Sequence, residues 1–132
     1  MIMNLFDIIF FGWYHILDQT VYSIGTDKGA IGPKEHSFFV SFLFHGINVW
    51  TLMRYLFFKY FNTTIPLYLS LLIAIMIFLV GYIIYFRRDR ANRIINTNVS
   101  GVKTFWFVML SLIYVITSVY LMFTVTDYIR NQ

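Results

Sequence analysis

Asp7, His15, Asp18 and His45 are the side chains of this 132-residue chain that could do chemistry, and that chemistry is proton transfer. Carboxylates and imidazoles held in apolar surroundings titrate near neutral pH, and they mark ion paths or relays in membrane helices. At about 100° per residue, Asn4, Asp7, Phe11, Tyr14, His15, Asp18 and Tyr22 share one helical face. Ser37, Ser41, His45, Asn48, Leu52, Tyr55 and Lys59 share another, while Arg54 points elsewhere. The expected polar cluster is therefore Asp7, His15, Asp18, His45 and Asn48.

Three readings of this cluster compete. Polar side chains that bond between membrane helices contribute roughly 0.6–2 kcal/mol per contact. A water-filled proton path would use the same residues. Haem ligation by His15 and His45 is geometrically conceivable, but two histidines are its whole support, and no cofactor is expected. An intramembrane aspartyl protease has less support still. Asp7 and Asp18 stand eleven residues apart, which is about 16 Å along a helix. A shared-proton dyad needs carboxylates about 3 Å apart. No HExxH, phosphate loop or nucleophile elbow occurs, so no enzyme is expected.

The elements that carry these residues are apolar. The chain is 59% hydrophobic and 12% charged, with a mean hydropathy of +0.70. A soluble domain has roughly twice that charge, so this one has too little polar surface to coat a globule in water. The aromatic share of 21% suits lipid interfaces and helix contacts. There is no Cys, which excludes disulfides and thiolate metal sites. The net charge of +4 gathers beside apolar runs, where it orients a membrane protein; a nucleic-acid partner is not expected. The first residues lack the basic stretch and small-residue cleavage site of a signal peptide.

The expected fold is all-α: one polytopic bundle of four transmembrane helices over residues 2–24, 37–58, 65–86 and 104–126. The last two are bounded by Lys59 and Arg87 and by Lys103 and Asp127, and each exceeds the roughly 20 apolar residues that span a bilayer. Thr63 and Thr64 are expected to cap the third, with Pro66 in its first turn. The first is either a buried span or a helix lying at the interface, because Asp7, His15 and Asp18 interrupt it. Residues 25–33 should be irregular, and residues 87–103 should extend the third helix briefly and break near Gly101.

Lys28, Lys34, Arg87, Arg88, Arg90, Arg93 and Lys103 fall in the loops 19–36 and 87–103, leaving Arg54, Lys59 and Arg130 elsewhere. Those loops are thus expected on the cytoplasmic, or matrix-equivalent, side. Arg87, Arg88, Arg90 and Arg93 are expected among anionic headgroups. With four spans both termini face away from the cytoplasm; if the first segment does not cross, the N-terminus moves to the cytoplasmic side.

Ser70, Ala74 and Gly81 on the third segment, and Ser111 and Ser118 in register with Thr104 on the fourth, are small residues that let helices approach closely. The expected function is non-enzymatic: helix association, as a homo-oligomer or a subunit of a larger membrane complex, with membrane lipid as the surrounding partner. The alternative is an ion- or proton-conducting pore lined by the polar faces of the first two helices.

Overall fold

The computed structural model describes residues 3–20 and 32–132, and within them the chain forms five α-helices and no strand. These are α1 (Leu5–Thr20), α2 (Pro33–Phe61), α3 (Leu67–Tyr82), α4 (Arg90–Ile95) and α5 (Gly101–Arg130), with a π turn at Ile83–Arg87 continuing α3.

Local chemistry sets the helix ends. Asn4 opens α1: its Oδ1 accepts from the Asp7 amide at 2.9 Å while Asp7 Oδ2 accepts from the Asn4 amide at 3.0 Å. This reciprocal box satisfies two amides that a helix start leaves free. Pro33 opens α2 at a position where its missing N–H costs nothing, and Glu35 Oε2 accepts from the Gly32 amide at 3.1 Å. The second helix therefore begins at Pro33 rather than near residue 37; the rest of the expected irregular stretch, residues 25–31, lies outside the described residues. Asn62 ends α2 in the left-handed region (φ 52°), its amide returning to the Phe58 carbonyl. Asp89 takes the same conformation (φ 53°) between the π turn and α4.

Other boundaries differ from expectation. Pro66 itself is the N-cap of α3, with no side-chain cap, and Thr63 bonds instead to the Thr64 carbonyl. Gly101 starts α5 rather than breaking a helix, and α5 runs past Asp127 to Arg130. Charge at Lys103 and Asp127 ends the apolar run, but exposed charged residues are ordinary helix formers and do not end the helix.

Residue pairing gives the topology. Trp50 meets Ser70, Phe42 meets Gly81 and Phe38 meets Phe86, so α3 runs antiparallel to α2. His45 meets Tyr114, Asn48 meets Ser118 and Arg54 meets Thr126, so α5 runs parallel to α2. The central helix α2 thus touches both, and α1 packs against α2 and α5, with α4 against α1. The core lies at the α4 end of this bundle and contains Phe10, Phe11, Phe38, Phe42, Tyr85, Ala91 and Ile94. Four consecutive residues of α1, Ile9 to Gly12, are buried, so this turn is enclosed on every side.

Two glycines mark close approaches. A Cβ on Gly12 would collide with Ser111 Oγ and lie 2.7 Å from the Phe107 carbonyl oxygen. A Cβ on Gly81 would collide with the Phe42 ring.

Two helices are long and apolar enough to cross a membrane: α3 with its π turn, 21 residues at mean hydropathy 2.7, and α5, 30 residues at 2.1. Only 6% and 11% of their most apolar stretches are buried, unlike the core helix of a soluble protein. Both helices are consistent with membrane insertion. The 29-residue α2 is as long, but Ser41, His45, Asn48, Thr51 and Arg54 interrupt it.

Candidate functional site

The polar residues divide into a clasp at the start of α1 and a seam between α2 and α5. Asp7 is completely buried and belongs to the clasp. Arg90 grips it in a two-pronged pair, Nη2 to Oδ2 at 2.6 Å and Nε to Oδ1 at 2.9 Å, and the Tyr85 hydroxyl donates to Oδ1 at 3.0 Å. With the Asn4 amide, four donors surround one carboxylate, which offers about four lone-pair sites. The hydrogen bonds to Asp7 hold the Arg90 guanidinium above its ordinary pKa, so it stays charged. The first turn of α1 is thereby tied to the connection between α3 and α5.

The seam is a ladder of hydrogen bonds. His45 Nδ1 and the Tyr114 hydroxyl lie 2.7 Å apart, Asn48 Nδ2 donates to Ser118 Oγ at 2.8 Å, and Arg54 Nη1 donates to Thr126 Oγ1 at 3.1 Å. His45 and Asn48 stand three residues apart and Tyr114 and Ser118 four, so both pairs recur on one face of each helix; Arg54, which the spacing placed on another face, is brought to α5 all the same through its bond to Thr126. Ser111, one turn before Tyr114, donates to the Ile9 carbonyl at 3.2 Å and joins α1 to the ladder. Phe6 covers the other side of His45, ring centroids 4.6 Å apart. Replacing Asn48 by Leu, or Ser118 by Ala, is expected to cost about 0.6–2 kcal/mol each and less than their sum together, read by unfolding in mixed micelles.

The seam is not saturated. Among the described residues, buried Ser41 Oγ, His45 Nε2, Asn48 Oδ1 and Thr51 Oγ1 have no hydrogen-bond partner, and neither do Trp13 Nε1 and His15 Nδ1 on α1. Four of these six atoms fall on α2.

The structure thus redistributes the expected cluster. His45 and Asn48 stand together in the seam, but Asp7 is held by Arg90 and Tyr85. His15 packs on Phe11 and Tyr14, with ring centroids 4.5 and 5.9 Å away. His45 packs instead on Phe6, Phe42 and Tyr114, so the two histidines are not brought together. Asp18 is exposed, and His15 Nδ1 has no partner that Asp18 could supply. The arginines also separate. Arg87, Arg88 and Arg93 are exposed, Arg93 donating to the Arg88 carbonyl at 2.6 Å, whereas Arg90 turns inward to Asp7.

The small residues sit between helices of this chain. Ser70 accepts from Trp50 Nε1 at 3.1 Å, Gly81 abuts Phe42, and Ala74 lines the groove between α2 and α3. Ser111 faces α1 and Ser118 faces α2. Tyr85, Tyr114 and Thr51 are parts of the site that face-counting did not find. The spacing Asn4-x-x-Asp7 fits a capping box, and a carboxylate in an apolar run calls for a cation, but neither names Arg90.

No family model, no curated protein and no solved structure matches the chain.

Proposed function

We propose that the chain is a non-enzymatic integral membrane protein that works by associating with other membrane-embedded chains, as a homo-oligomer or as a subunit of a larger complex. In this reading α2, α3 and α5 cross the bilayer and α1 does not. Asp7, His15 and Asp18 interrupt the apolar run of α1, and its first turn is bonded to Arg90 in the connection between α3 and α5. The N-terminus then shares the side of residues 87–103, which the positive-inside rule assigns to the cytoplasm or its equivalent, and the C-terminus lies opposite.

The observation that carries the reading is the contrast between inside and outside. Polar stripes turn toward other helices of the same chain, while α3 and α5 present Leu67, Leu72, Met76, Phe105, Ile113 and Ile116 to the outside, each at least half exposed. Apolar surface of that extent marks a lipid or protein contact. The polar stripes find much of their bonding within the chain, so association would use these apolar sides. Purification in mild detergent with native mass measurement, after crosslinking in the membrane, tests this. A defined assembly, with itself or with a stoichiometric second polypeptide, is expected; a lone chain in both membrane and detergent contradicts it.

The unpartnered atoms at Ser41, His45, Asn48 and Thr51 favour a second reading, a conducting seam along α2. Ion or proton flux into liposomes that His45→Leu and Thr51→Val abolish while the fold persists would support conduction; absence of flux removes it.

A further inference from the structure

We propose that the groove between α2 and α3, on the side of α2 away from α1, is a binding site for one acyl chain of a phospholipid whose phosphate is held by Lys34. The inference rests on the membrane reading above and goes beyond it by assigning a ligand to a place. The groove has two joined parts. One, of about 600 Å³, is lined by Phe38 and Phe39 of α2 and by Ala74, Phe78 and Tyr82 of α3, with Glu35 at its end. The second, of about 290 Å³, shares Ala74 and Phe78 and continues along Leu43, Gly46 and Trp50. Each is close to or within the size of small-molecule sites.

Shape, length and charge agree on the occupant. From Glu35 to Trp50 the groove follows about 22 Å of α2, more than the roughly 15 Å half-thickness of a bilayer, so a chain from one leaflet fits along it. The space beside Gly46 is open: a Cβ there would meet nothing within 4 Å. Its walls are aromatic and aliphatic, and its polar end lies where the basic residues gather. Lys34 Nζ sits 5.7 Å from the centre of the Phe86 ring that lines this end, and it donates to Asn92 Oδ1 at 3.2 Å. It also lies 3.8 Å from Glu35 Oε1, and an ammonium has three donors, so with these two partners it keeps one for a phosphate. Exposed Arg87 and Arg88 follow Phe86 directly and add charge of the same sign.

The test is native mass measurement of the detergent-purified chain titrated with dioleoyl phosphatidylglycerol. Gly46→Leu with Ala74→Leu fills the groove without opposing any neighbour at Gly46, and Lys34→Gln removes the cation while leaving the groove empty. One phospholipid retained per wild-type chain is expected, with retention at least tenfold weaker in the filled variant and several-fold weaker in Lys34→Gln, at unchanged helicity. Equal retention by wild type and the filled variant overturns the proposal. So does a disulfide-linked dimer through Gly46→Cys, which would be the only thiol in this cysteine-free chain and would place a second copy at the groove. A chain that stays folded and dispersed without any surfactant sinks the membrane reading itself, whereas surfactant dependence without selective retention sinks the groove alone.

Discussion

Arg90→Ala is expected to destabilise the protein by about 3–5 kcal/mol, because it leaves the Asp7 carboxylate buried without its cation. Asp7 has no exposed surface, while the Arg90 side chain keeps 32% of its own. The two sides of the pair are therefore unequal. Asp7→Asn removes the charge that cannot reach water and leaves a guanidinium that can, so its expected cost is smaller, about 1–3 kcal/mol for the disturbed hydrogen bonds. Lysine at position 90 should recover only part of the loss, since it cannot form the two-pronged contact. Unfolding in mixed micelles of Arg90→Ala, Asp7→Asn and the double variant measures this. An equal or larger loss for Asp7→Asn would contradict the burial asymmetry on which the clasp rests.

The second large effect concerns the two close approaches, which should respond differently to relief. Alanine at Gly12 drives a methyl into Ser111 Oγ and against the Phe107 carbonyl oxygen, 2.7 Å from the new atom. Overpacking of this kind costs roughly 1–3 kcal/mol, and leucine there should displace α1 altogether. Trimming Ser111 to Ala relieves one contact, but a backbone carbonyl cannot be trimmed, so rescue should be slight. At Gly81 the atoms nearest the added methyl all belong to the ring of Phe42, a side chain, and Phe42→Leu should rescue Gly81→Ala. Protease protection of α1 and thermal unfolding read both cycles. Strong rescue at Gly12 together with none at Gly81 would reverse the expected order.

These expectations also show what could be read from residues alone. The apolar runs of α3 and α5 were legible because these helices are apolar on nearly every side, with no polar stripe to break the run. Helix ends were less so. Charges such as Lys103 and Asp127 limit an apolar run, whereas caps limit a helix, and Pro33 with Glu35 was the signal for the true start of α2. The polar stripe of α2 followed from 100° periodicity, and His45 and Asn48 stand on it as the spacing implies. What periodicity could not reveal was the partner. Arg90 lies 83 positions from Asp7 and Tyr114 lies 69 from His45, so only the tertiary arrangement pairs them. Arg90 looked like one of four equivalent arginines because net charge carries no direction. The left-handed turn at Asp89 begins a new helix at Arg90, and its side chain turns inward while Arg87 and Arg88 stay exposed.

In the proposed arrangement lipid surrounds three crossing helices, with α1 held on the side of the connection between α3 and α5. Single cysteines introduced into the cysteine-free chain test it by reaction with a membrane-impermeant thiol reagent in sealed vesicles of known orientation. The positions are one residue ahead of Met1, Thr64, Asn98 and Gln132. The expected result is that the leading cysteine and Asn98→Cys react from one side, and Thr64→Cys and Gln132→Cys only from the other. Reaction of the leading cysteine together with Thr64→Cys would mean that α1 crosses, and reaction of all four from the same side would mean that no bilayer separates them.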